Sequence, residues 1–148
     1  MQIEPHNLGW RYWAATVPLL AARFGGWEPA LPLALTLTAV QLLHFRIRTG
    51  TARSFPVQVR AAYLALLIAG GWPPLAFLHA IQLVGTTAMV TVGYCPLARC
   101  VSLLPWNRRQ PLTLALVQRT FLSPPVRGSI LAAITTATSP TNHRAAGS

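Results

Sequence analysis

Apolar residues fill four stretches of this chain, about residues 9–24, 29–45, 57–69 and 74–93, and short polar or glycine-proline corners separate them. Two of the corners share a signature: Gly25-Gly26-Trp27-Glu28-Pro29 and Gly70-Gly71-Trp72-Pro73-Pro74. A second echo follows each, first as Ala39-Val40-Gln41-Leu42-Leu43 and then as Ala80-Ile81-Gln82-Leu83-Val84. Glycine ends helices, proline starts them at the first turn, and tryptophan favours a bilayer surface, so the pattern predicts two tandem helical hairpins. The fold class expected is an all-α membrane protein with four transmembrane helices and a short interfacial C-terminal helix.

The first span opens on Trp10, Arg11, Tyr12 and Trp13, which suit interfacial anchoring, and holds Pro18, where a kink is expected. A secretory signal is the competing reading, since Ala21 and Ala22 are small; but Glu4, not a basic residue, precedes the run, which favours a retained span. The second span, 29–45, would be about 25 Å long, slightly short of a hydrocarbon core. Residues 49–54 form the clearest linker and divide the hairpins. In the third span Arg60 is placed to snorkel toward that linker, while Ala62, Ala65 and Ala69 offer a small-residue face for close helix approach.

Beyond residue 93 the character changes. Residues 94–110 carry two cysteines, two prolines, Trp106, Asn107 and several arginines, and read as an amphiphilic segment at the membrane surface. Leu112 to Leu122 is helical in composition, too short to cross, and contains Arg119, so it is expected to lie in the interface or on the bundle. Residues 1–111 thus form the bundle, and 112–148 a cytoplasmic or interfacial extension ending in a loose tail.

Composition supports lipid over water as the main solvent: 53% of residues are hydrophobic and 9% charged, against about a quarter charged in soluble domains. The formal charge is +10, and every basic residue is an arginine. These arginines flank apolar segments and form no stripe with interleaved aromatics, which excludes nucleic acid as the expected partner and points to anionic lipid headgroups. With both termini in the cytoplasm, eleven of the twelve arginines fall on the inner side and only Arg23 outside. The expected location is a bacterial inner membrane.

Polar residues within the spans are the candidate functional groups. His79, Gln82, Thr86, Met89 and Gly93 share one face of the fourth helix, as do Thr38, Gln41, His44 and Arg48 on the second. Both stripes should face the bundle interior or a partner chain, with Gln41 and Gln82 as interhelical glue and Thr86 and Trp106 among the contact residues. A sharper reading makes His44 and His79 ligands to haem iron, though they lie toward opposite ends of their helices. Cys95 and Cys100 are the candidate metal or reactive-thiol pair, with Arg99 placed to lower a thiol pKa; no further ligand stands near them in sequence to complete a set.

No membrane carboxylate, hydrolytic set, phosphate loop or zinc-protease motif is present, which argues against a proton-coupled carrier or a hydrolase. The expectation is a non-catalytic accessory, assembly or scaffolding subunit packed against other subunits of a larger membrane complex, respiratory or photosynthetic. A haem- or metal-handling protein using His44, His79, Cys95 or Cys100 is the alternative. A small channel or transporter is the second.

Overall fold

The structure, a computed structural model, describes residues 7–108 and 110–124. It is all-helical: α1 Leu8–Phe24, α2 Ala30–Thr49, α3 Phe55–Gly70, α4 Phe77–Val92, α5 Pro96–Ser102 and α6 Leu114–Leu122, with a 3-10 turn at Pro73–Leu75 leading into α4. The expected loose tail from residue 125 onward lies outside the described residues.

The first four helices form a ring. Each packs on its neighbour in sequence and α1 closes on α4, where Trp10 Nε1 donates to Val90 O at 3.2 Å. Side chains fill the diagonal between α1 and α3, with Trp13 and Tyr63 meeting edge to face at 4.8 Å between ring centroids. Leu20, Ala34, Val59, Leu67 and Met89 complete the core. α5 leans on α3, and α6 on α5. Because α2 packs on α3, the linker joins two parts of one core and does not separate independent hairpins.

The local chemistry explains the helix ends, and some differ from expectation. Asn7 caps α1 by accepting from Gly9 N at 3.0 Å. At its other end Gly26, with φ of 83°, lets Trp27 N reach Ala22 O at 3.0 Å and Gly26 N reach Arg23 O at 3.2 Å, closing two terminal carbonyls. The second glycine pair works differently. Gly71 keeps a right-handed φ of −66°, and Gly70 is still helical. A Cβ on Gly70 would stand 2.7 Å from both Cδ2 and Nε2 of the His79 ring, so this glycine is there for space, not for turning.

α2 runs four residues past the expected end at 45, since Arg46, Ile47, Arg48 and Thr49 are compatible with a helix and nothing stops it before Gly50, with φ of 69°. Among the described residues two segments are long and apolar enough to cross a membrane, Ala30–Thr49 and Pro73–Val92. α3 is apolar but has 16 residues, and α1, with 17, does not reach the same length and hydropathy. The buried face of α3 is Val59, Arg60, Tyr63, Leu67 and Gly70. The expected small-residue face is therefore corrected: Ala65 is exposed and Ala62 and Ala69 are half-buried, while Ala30 and Ala34 of α2 are wholly buried.

Candidate functional site

Polar side chains are buried inside the ring among the apolar ones. In the second hairpin Gln82 Nε2 donates to Tyr63 O at 3.0 Å, and Thr86 Oγ1 donates to Gln82 O at 2.6 Å. That uses the single proton of the Thr86 hydroxyl, so Tyr63 OH must donate to Thr86 across their 2.9 Å contact. The first hairpin carries the same device more loosely. Gln41 Nε2 lies 3.4 Å from both Tyr12 O and Thr16 Oγ1, and Thr16 donates to Tyr12 O at 3.0 Å. In each hairpin a glutamine of the second helix thus donates to the main-chain carbonyl of a tyrosine of the first. The carbonyl oxygens of both glutamine side chains are buried without a partner among the described residues.

The two histidines are far from one another. His79 is buried near the second glycine corner, its Nε2 3.2 Å from Leu67 O; a carbonyl accepts, so Nε2 carries the hydrogen. His44 sits at the other end, edge-on to Tyr12 at 5.9 Å, with a buried Nε2 that has no partner among the described residues. Among the described residues no three His, Cys, Asp or Glu side chains come together.

Cys95 is buried and caps α5, its Sγ accepting from Ala98 N at 3.4 Å, whereas Cys100 is exposed. Burial pushes both thiols above their ordinary range. The expectation that Arg99 lowers a thiol pKa is thus corrected, because its guanidinium turns the other way. It is buried over the Tyr94 ring, donates to Thr120 O, to Ser123 Oγ at 2.7 Å and to Pro124 O at 3.2 Å, and so caps the end of α6. Only the thiolate alkylates, so iodoacetamide should modify Cys100 alone in the folded protein, faster as pH rises. Trypsin cuts after Arg99 and separates the two cysteines; rapid labelling of Cys95 at neutral pH would contradict this. The sign for stability follows: the unfolded chain loses its thiol protons first, so rising alkalinity weakens the fold.

Trp106 is exposed, with Nε1 donating to Gln58 Oε1 at 3.0 Å. Asn107 Nδ2 donates to the same oxygen at 2.6 Å and to Val101 O at 2.9 Å, pinning the segment after α5 to the start of α3. Nothing local in the sequence marks Gln58 for this.

The largest departure from the sequence reading is Arg60. It does not snorkel; it is 2% exposed, and its guanidinium stacks 3.5 Å from the Phe45 ring centroid and 5.6 Å from that of Trp13. Nη1 donates to Pro56 O at 2.9 Å, and Nε has no partner among the described residues. Two aromatic faces return about 0.5–2 kcal/mol each, whereas stripping water from a charge costs several. The spacing of Arg60 with Tyr63, Leu67 and Gly70, at three, seven and ten residues, is the helical signal that would have placed it inside.

The chain matches no protein-family model, no curated protein and no solved structure. Its function is therefore argued from these side chains alone.

Proposed function

We propose that this is a non-catalytic multi-pass membrane protein, its four bundle helices crossing a bacterial inner membrane with both termini in the cytoplasm, and that it serves as an accessory or assembly subunit of a larger membrane complex. One observation carries the membrane reading: beside its apolar core the bundle buries a set of uncharged polar groups while large apolar side chains face outward. Thr16, Thr38, Gln41, His79, Gln82 and Thr86 are buried, while Leu43, Ile47, Ile68, Phe77, Ile81 and Val84 stand exposed. In water that arrangement wastes apolar burial; in lipid it hides the groups that hydrocarbon cannot hydrogen-bond.

The short helices fit this reading. At about 1.5 Å per residue α1 and α3 reach about 25 Å, some 5 Å less than a typical hydrocarbon core, a mismatch that local thinning and interfacial side chains absorb. Trp27 and Trp72 are exposed at one end, and Arg46, Arg48 and Arg53 at the other, which suits an outer aromatic belt and an inner basic rim. The subunit role rests on what the chain offers a neighbour: exposed Trp106 held by Gln58, and a short helix, α6, held at its end by Arg99.

Alkaline carbonate washing and mild-detergent extraction test the two halves separately. The protein should stay with the membrane through the wash and co-purify with a larger membrane complex after extraction. Release into a surfactant-free supernatant sinks the membrane reading. A stable, partnerless monomer sinks the subunit role and leaves the membrane reading standing.

A further inference from the structure

The side-chain amide of Gln58, in the first turn of α3, spends all four of its hydrogen-bonding positions. Nε2 donates to Arg53 O at 2.6 Å and to Asn107 Oδ1 at 3.3 Å, while Oε1 accepts from Asn107 Nδ2 at 2.6 Å and from Trp106 Nε1 at 3.0 Å. Asn107 Nδ2 also reaches Val101 O at 2.9 Å. One node thus ties together the linker before α3, the start of α3 and the segment after α5.

Trp106 gains no burial from this. Its single donor is satisfied within the chain, yet the residue stays 70% exposed, with exposed Pro105 beside it. Exposed Arg53 and half-buried Arg108 belong to the same node. A fluid bilayer reshapes itself around a tryptophan in any rotamer; a folded neighbour gains from one already fixed, because the ordering cost is met before contact. Tryptophan and arginine are also the side chains that most often dominate protein interfaces.

Charge narrows the neighbour's chemistry. The chain has two acids, Glu4 and Glu28, and none from residue 29 to its end. Complementary potential for Arg53 and Arg108 therefore calls for carboxylates brought by the partner.

We propose that Trp106 anchors the subunit interface: it enters an apolar pocket on an acidic segment of a neighbouring membrane protein, Arg53 and Arg108 meet that segment's carboxylates, and Gln58 holds the indole in place. This rests on the subunit reading above and names the surface and partner chemistry it uses.

Photo-crosslinking in native membranes tests it, with p-benzoylphenylalanine replacing Trp106 in the full chain and mass spectrometry locating the attachment point after mild extraction. The adduct should be a peptide of a membrane protein that also co-purifies with the unmodified chain, with Asp or Glu beside the point of attachment. The same probe at Val84, exposed on α4, should not reach that peptide. Trp106→Ala should cut the co-purified partner about tenfold or more, the loss expected at an interface hot spot. Trp106→Phe keeps a ring and loses the tie to Gln58, so it should retain more partner than Trp106→Ala and less than the parent. Adducts with phospholipid alone, with a second copy of the chain, or with the chain's own residues 1–6 or 125–148 overturn the proposal. So does a cross-linked peptide without acids, or a Trp106→Ala protein that keeps its partner. Any of these with co-purification intact fails this inference alone, whereas a parent chain that extracts without partners fails the subunit reading itself.

Discussion

Gly70→Ala should destabilise the bundle by about 1–3 kcal/mol, the usual cost of forcing one methyl into a packed core. The added Cβ would meet His79 Cδ2 and Nε2 at 2.7 Å and Cε1 at 3.3 Å. The ring has no easy retreat: it is buried, and Nε2 is tied to Leu67 O at 3.2 Å. Chemical unfolding in detergent measures the change. His79→Ala removes the obstacle, so Gly70→Ala on that background should cost much less than in the parent chain, and a cycle of the four proteins isolates the clash. Gly25→Ala is the control, since its nearest neighbour is Ala22 O at 3.3 Å. An unshifted midpoint in Gly70→Ala would refute the argument.

The second large effect is local. Arg99→Ala should release α6 from α5 while the four-helix ring keeps its stability. The guanidinium holds Thr120 O, Ser123 Oγ and Pro124 O and lies 4.3 Å from the Tyr94 ring centroid. A hydrogen bond to a charged group contributes about 1.5–3 kcal/mol, and among the described residues the other hydrogen bond anchoring α6 is Tyr94 OH, just ahead of α5, donating to Phe121 O at 2.9 Å. Hydrogen exchange over residues 114–122 should rise steeply, with α1 to α4 unchanged. Arg99→Lys should recover little, because an ammonium cannot present the fork that reaches three acceptors. Unaltered protection of α6 in Arg99→Ala would show that its docking depends on something else.

These two positions also show what was legible beforehand. The helices of the ring and the polar stripe on α4 follow from spacings of three, four and seven residues, a local signal that survives without neighbours; on α2 the expected stripe is buried at Thr38 and Gln41, half-buried at His44 and exposed at Arg48. His79, Gln82 and Thr86 are buried on one face of α4, as that spacing requires. Arg46 and Arg48 resemble loop residues, so the sequence ends α2 at 45, although it is Gly50 that breaks the helix. Gly70 resembles a turn glycine because it precedes Gly71 and Trp72; its neighbour in space is a histidine nine residues later. The arginines were the hardest to place. Whether Arg60 turns outward or inward depends on Phe45 and Trp13, on two other helices, and Arg99 depends on the end of α6 more than twenty residues away.

The contact that shuts the ring joins residues 80 positions apart, Trp10 and Val90. During synthesis the opening pair of helices must therefore wait, with its tryptophan side uncovered, until the ribosome has delivered nearly the whole of the fourth. Arg60 emerges midway through that wait, after Phe45 and Trp13 have been made, so its aromatic bed precedes it. A chain interrupted before Val90 leaves the first pair without its lid, an obvious handle for a quality-control protease or insertase.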